Sequence, residues 1–154
     1  MKHFESLTPG ELDVLENAIP QIAILIAGAD GEINEKETDW APKLTHIRTY
    51  NSSEDLHEFY KQIDADFKVK FAELVKFSST QLDARQAKLS ENLAKINPIL
   101  AKLDNKTAYN LYDSFLTFAK SVANSSGGIL GFHVFDSNVK KWVGLPMIDP
   151  IILA

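Results

Sequence analysis

Apolar side chains recur along most of the chain at intervals of three or four residues, the spacing that places them on one face of an α-helix. A Thr cap, a Pro at the first helical position and a Glu three residues after the cap predict that the first helix starts at Thr8-Pro9-Gly10-Glu11. Pro20 interrupts the apolar run of this helix, and we expect it to kink or split the helix near Ile19. The run ends at Ala29-Asp30-Gly31, where Gly31 is placed to take a left-handed cap.

The same spacing predicts helices over the rest of the chain. A second helix starts with Asn34 as its cap and Glu37 as the capping-box partner, and runs to about Tyr50. The apolar run over 56–74 predicts one long helix or two, because Asp64-Ala65-Asp66 could break it. Further helices are predicted over 81–96, over 97–103 with Asn97 as cap, over 105–124, and from 136 or 137 to 142.

No stretch shows the strict alternation of a strand bounded by hairpin turns. The sequence therefore predicts an all-α fold, a compact bundle of about seven helices in which residues 1–154 form a single domain. Residues 144–154 form an apolar, proline-bearing tail, which we expect to pack on this domain or on a partner because such a surface needs covering. The helical spacing also predicts a set of aromatic core positions: Phe59, Phe67, Phe71, Phe115 and Phe118.

Composition narrows the class of protein. The 154 residues are 45% hydrophobic and 24% charged, which is ordinary for a globular domain and excludes a disordered chain. The absence of cysteine excludes disulfides, thiol catalysis and cysteine-bound metal clusters. A net charge of −5 gives no basic field, so no nucleic-acid partner is expected. The most apolar run, 19–29, is shorter than the roughly 20 residues that span a bilayer, and the first residues lack a signal-peptide core. We therefore expect no transmembrane segment and a cytoplasmic location.

The motifs of common enzymes are missing from the sequence. The four histidines show neither HExxH nor His-x3-His spacing, and there is no Gly-x-Ser-x-Gly and no phosphate-binding loop. Gly127-Gly128-x-x-Gly131 follows a predicted helix rather than a strand, which favours a flexible connection over a dinucleotide site. We therefore expect a protein that is not an enzyme, and a metal-dependent enzyme is the weakest alternative.

One segment, residues 29–39, is strongly acidic, with five carboxylates and one lysine from Asp30 onwards. Asp30 is predicted at a helix C-terminus, where the helix dipole destabilises a carboxylate by about 0.3–1 kcal/mol. A nearby cation would make the carboxylate favourable instead. Divalent cations such as Ca²⁺, Mg²⁺ or Mn²⁺ prefer clustered carboxylate and amide oxygens, so the candidate metal ligands are Asp30, Glu32, Asn34 and Glu37.

The alternative for the same segment is a solvated helix corner without metal. In that interpretation Gly31 ends one helix, Ile33 packs before the next, and Asn34 with Glu37 caps it. A high-affinity EF-hand calcium loop is not expected, because aligning Asp30 and Gly31 with it puts Ile26 and Gly28 at two essential ligand positions.

The run Ile22-Ala23-Ile24-Leu25-Ile26-Ala27-Gly28-Ala29-Asp30-Gly31-Glu32-Ile33-Asn34-Glu35-Lys36-Glu37 resembles the TerB-like family, small helical proteins named from bacterial tellurite-resistance clusters. The resemblance implies an all-helical bundle of two related halves, each carrying such a corner, with clustered acidic residues that hold a metal. The best echo in the second half is Ser125-Ser126-Gly127-Gly128-Ile129, which lacks the carboxylates of the first corner.

Two functions are consistent with these features. The first is a non-enzymatic cytoplasmic module, TerB-like, that serves as an interaction or stress-response scaffold and binds a divalent cation at the acidic corner. The alternative is a pure protein-interaction domain without metal that uses its apolar tail. Both predict a protein partner, and both leave a homo-oligomer open.

Overall fold

The structure, a computed structural model, describes residues 1–31, 33, 35–125 and 137–154, and for residues 35–37 and 137 it describes the backbone alone. Within these ranges the chain contains helices and no strand, which confirms the all-α prediction. The helices are α1 (Pro9–Ala27), α2 (Glu35–Asn51), α3 (His57–Phe77), α4 (Leu82–Ala94), α5 (Asn97–Leu100), α6 (Asn105–Ser125) and α7 (Ser137–Val143). Short 3₁₀ turns cover Lys2–Phe4 and Glu54–Leu56.

Helix α1 begins as predicted and is the central helix of the bundle. The Thr8 hydroxyl accepts a hydrogen bond from the Glu11 amide at 3.2 Å, and the Glu11 carboxylate accepts one from the Thr8 amide at 2.9 Å. The helix contacts α2, α3, α4, α6 and α7. Pro20 does not split it, because almost every side chain from 18 to 27 is buried and packing outweighs one missing hydrogen bond. Helix α2 likewise continues through Pro42.

The aromatic core positions are confirmed, since all five predicted phenylalanines are buried. They belong to one apolar cluster that runs from Phe4 to Ile148. The predicted interruption near Asp64-Ala65-Asp66 is also present: α3 continues past it, but Asp66 has non-helical angles of φ −132° and ψ 17°.

The tail packs on its own chain. Leu145 and Ile148 are buried in the core, whereas Ile152 and Leu153 remain exposed. Leu145 has a left-handed backbone, φ 47°, so the chain turns at the start of the tail, just after α7. No helix in the described ranges has the length and apolarity needed to cross a bilayer.

Candidate functional site

The acidic corner between α1 and α2 was predicted only in part: α1 ends at Ala27 with Gly28 as its cap, so the prediction that Gly31 caps this helix was wrong. Gly31 takes a left-handed conformation with φ 116°, and Ile33 packs partly buried against the core. Asp30 is exposed to solvent. Glu32 and Asn34 lie outside the described residues, and of Glu37 only the backbone, in the first turn of α2, is described. The four-ligand cation site therefore stays a prediction; among the described side chains elsewhere, no group of three or more histidines and carboxylates could hold a metal.

Helix α4 supplies a positive charge to this corner. Arg85 is buried, and its Nη2 donates to the carbonyl oxygens of Gly28 at 2.7 Å and Gly31 at 3.3 Å. Its neighbour Gln86 donates to the carbonyl of Leu25 at 3.0 Å. These bonds satisfy carbonyls at the C-terminus of α1, where the helix dipole is negative. The Arg85 guanidinium therefore already supplies a positive charge at the negative end of the α1 dipole, which was the electrostatic reason for predicting a metal cation there.

Reasoning from the sequence missed Arg85 and Gln86. The sequence did contain a sign that these two residues are buried, because both occupy the face of α4 that carries the buried Leu89 and Leu93. Polar side chains on the apolar face of a helix are buried, and buried polar groups need partners. The partner carbonyls, however, lie 54 to 61 residues away along the chain.

Two asparagines hold the tail by its main chain. Asn97 Nδ2 donates to the Met147 carbonyl at 3.0 Å, and its Oδ1 accepts from the Asp149 amide at 2.8 Å. Asn105 repeats the arrangement, donating to the Ile152 carbonyl at 3.0 Å and accepting from the Ala154 amide at 2.8 Å. Each amide side chain therefore spans a carbonyl and the amide two residues later.

The prediction that Asn97 caps α5 was wrong. Asn97 is the first residue of that helix, and the capping position is Ile96, which has no side-chain cap. At α6 the capping bond comes instead from Asp104, whose carboxylate accepts from the Thr107 amide at 3.0 Å. Both asparagines are thereby free to bind the tail. We call the surface formed by α5, the start of α6 and these two side chains the asparagine groove.

The asparagine groove also has an apolar wall. A cavity of about 290 Å³ lies between α5, α6 and the tail, and Leu100, Leu103, Ala108 and Ile151 line it. Ile148 enters the core beside the first asparagine and is 2% exposed. The tail is therefore held by main-chain bonds at two points and by apolar side chains near both.

Two histidines are paired with carboxylates, one in space and one by sequence spacing, without forming a recognisable catalytic set. His46 Nδ1 is 2.9 Å from Asp64 Oδ2 at the edge of a cavity of about 530 Å³, and the described residues that line this cavity include no serine or threonine. Glu54 and His57 form a Glu-x-x-His pair, but His57 Nε2 is 2.8 Å from the Ser52 carbonyl, which occupies that nitrogen.

The chain was compared with protein-family models, with curated proteins and with solved structures, and no match was found in any of the three comparisons.

Proposed function

We propose that this protein is a non-enzymatic interaction module, and that the asparagine groove is a binding site for a non-helical polypeptide segment. The observation that carries this proposal is the double clamp of Asn97 and Asn105 on the main chain of residues 147–154. In the structure, the occupant of the groove is the chain's own tail.

The clamp selects a conformation rather than a sequence. All four bonds go to backbone groups, and a helix would use those groups internally, so only a non-helical segment can offer them. Recognition through main-chain bonds, with selectivity from a few side-chain pockets, is a common mode of peptide binding. Here the selective positions are those of Ile148 and Ile151, which contact the core and the groove wall.

The occupant that we propose is a segment with two aliphatic side chains three residues apart, supplied by another polypeptide in exchange for the tail. The tail sequence is one such segment, so a second copy of the chain could provide it. A tethered segment competes at an effective concentration on the order of millimolar, so a free peptide should bind only after the tail is weakened.

The TerB-like resemblance, the cytoplasmic location and a scaffold role in stress response remain part of this proposal. The order of features in residues 22–37, a buried helix, a left-handed Gly31 and a second helix beginning at Glu35, is consistent with the resemblance. The location and the scaffold role rest on the sequence alone. The proposal of a cation site at the acidic corner is supported by the sequence alone.

The experiment uses the full chain and a fluorescein-labelled peptide with the sequence of residues 144–154. Ile151→Asp should loosen the tail, because it places a charge against the apolar wall, and it leaves the residues of α5 and α6 unchanged. Ile151 is only partly buried, so the protein should stay folded. Ile152→Asp is the matched control, since Ile152 is 82% exposed. We expect the peptide to bind the Ile151→Asp protein at least about tenfold more tightly than it binds wild type or the control.

Adding Asn97→Ala and Asn105→Ala to the Ile151→Asp protein should abolish peptide binding. Circular dichroism establishes that each variant is folded. A folded Ile151→Asp protein that binds the peptide no better than wild type would overturn the proposal, as would binding that survives loss of both asparagines.

A further inference from the structure

A second feature, independent of the tail, is a partly buried arginine between α2, α3 and α6. Arg48 Nη1 donates to the carbonyl and the hydroxyl of Ser114 at 3.0 and 2.8 Å, and Nη2 donates to the Thr117 hydroxyl at 3.1 Å. The guanidinium carbon lies 5.8 Å from the ring centre of Tyr60 and 5.6 Å from that of Phe118. The three hydrogen bonds and the two aromatic rings together fix the position of the guanidinium.

The guanidinium has no counter-charge in the described part of the chain, because no carboxylate there lies within 4.0 Å of it. Three of its five N–H groups are used by Ser114 and Thr117. Nε–H and Nη2 form one edge of the planar group, and among the described residues the hydrogen bond that this edge makes is the one from Nη2 to Thr117. Such an edge matches two oxygens of a carboxylate or a phosphate.

Tyr60 cannot supply the missing negative charge. Its side chain is fully buried, and burial raises the pKa of its hydroxyl above the ordinary value. The phenol therefore stays neutral and hydrogen-bonds with the Ser114 hydroxyl, the same group that accepts from Arg48. A partly buried charge with only neutral partners is incompletely compensated.

Arg48 lines a cavity of about 370 Å³ that is rich in hydroxyl and amide groups. These groups come from the end of α2 and the residues after it and from one face of α6. Among the described lining residues, the one carboxylate is that of Asp113, which is exposed. The polar lining consists largely of Asn51, Ser52, Ser53, Asn110, Thr117 and Ser121.

We propose that this cavity binds a small oxyanion, the carboxylate or phosphate group of a ligand, with Arg48 as its bidentate anchor. The Ser52 and Thr117 hydroxyls already donate to main-chain carbonyls. The donors to the other oxygens would therefore be the side chains of Asn51, Ser53 and Ser121. Such a ligand would bridge α2 and α6 beside a guanidinium that the fold already holds in place.

The test is a titration of the full chain with sodium phosphate and, separately, with sodium acetate, at constant ionic strength set by chloride. Amide chemical shifts of residues 51–53, 117 and 121 are followed by NMR. We expect saturable shifts with at least one anion; phosphate alone identifies a phosphate site, and acetate alone a carboxylate site. No saturable shift with either anion would overturn the proposal.

Variants that change a single charge distinguish anion binding in this cavity from nonspecific attraction of anions to the protein surface. Asn51→Asp places a negative charge in the cavity lining without altering Arg48, and Gln62→Glu makes the same change of charge on the exposed surface of α3. We expect Asn51→Asp to weaken anion binding at least about tenfold and Gln62→Glu to leave it unchanged. Arg48→Lys keeps the charge but loses the two-pronged edge, so it should weaken binding too. Equal affinity in all four proteins would reject the site.

Discussion

The guanidinium of Arg85 lies directly against Gly28. Arg85 Nη2 donates to the Gly28 carbonyl at 2.7 Å, and a Cβ added to Gly28 would stand 2.6 Å from the same nitrogen. The backbone of Gly28, with φ −101°, is one that any residue can adopt. Glycine is therefore needed at this position for space and not for conformation.

Gly28→Ala should consequently destabilise the protein through Arg85. Displacing a buried guanidinium and overpacking its site costs about 1–3 kcal/mol in the free energy of unfolding, which urea titration measures. Gly144→Ala is the control, because a Cβ there meets nothing within 4 Å. In an Arg85→Ala background the cost of Gly28→Ala should shrink; an undiminished cost would show that the contact is not its cause.

The acidic corner gives a prediction about cations. Because Arg85 already compensates the C-terminus of α1, we expect Ca²⁺, Mg²⁺ and Mn²⁺ to give no saturable heat with chelator-stripped protein and no change in Trp40 fluorescence. The contrary result, saturable binding that Asp30→Asn abolishes, would establish the cation site predicted from Asp30, Glu32, Asn34 and Glu37.

The asparagine groove should protect individual tail amides from hydrogen exchange. The Asp149 amide donates to Asn97, so Asn97→Ala should speed its exchange at least about tenfold by opening that clamp. Asn92→Ala is the matched control, since Asn92 contacts Lys95 and not the tail. Unchanged exchange at Asp149 in a folded Asn97→Ala protein would contradict the clamp.

Asp104 gives α6 a pH-dependent cap. Hydrogen bonds from Thr107, its backbone amide foremost, hold the pKa of this carboxyl below its ordinary value. A group whose pKa is lowered on folding contributes stability above its unfolded pKa and loses it as the pH falls through the folded pKa. The Asp104 contribution should therefore decline as the pH falls through and below the ordinary pKa of an aspartate, about 3.9.

Asp104→Asn tests this cap, because asparagine also caps helices but does not titrate. At pH 7 the variant should lie within about 0.5 kcal/mol of wild type in the free energy of unfolding. Urea titrations between about pH 6 and pH 3 should show the wild type losing stability relative to the variant on acidification. Parallel pH profiles for the two proteins would refute the assignment.

Local rules predicted the helices well, because their causes lie within a few residues of each other. The Thr8 and Glu11 capping box, the left-handed Gly31 and the irregular Asp66 all follow from side chains and backbone in one turn. Pro20 was the exception: the local rule predicted a kink or break, and burial of almost every side chain from 18 to 27 kept the helix continuous.

The candidate sites were much less predictable. The Asn97 side chain could either cap a helix locally or form hydrogen bonds with a distant main chain. Only the position of the tail decided between these two roles. Arg48 reaches Ser114 across 66 residues of sequence, a partnership that no spacing rule encodes.

The sequence by itself determined an all-α chain, most of its helix ends and its aromatic core, because helical periodicity and capping are short-range properties. The tertiary structure alone decided that Arg85 contacts the negative end of the α1 dipole, that the tail lies in the asparagine groove, and that Arg48 borders a polar cavity. The reason is that a buried polar group takes whichever partner packing brings within reach, and packing is a property of the whole chain.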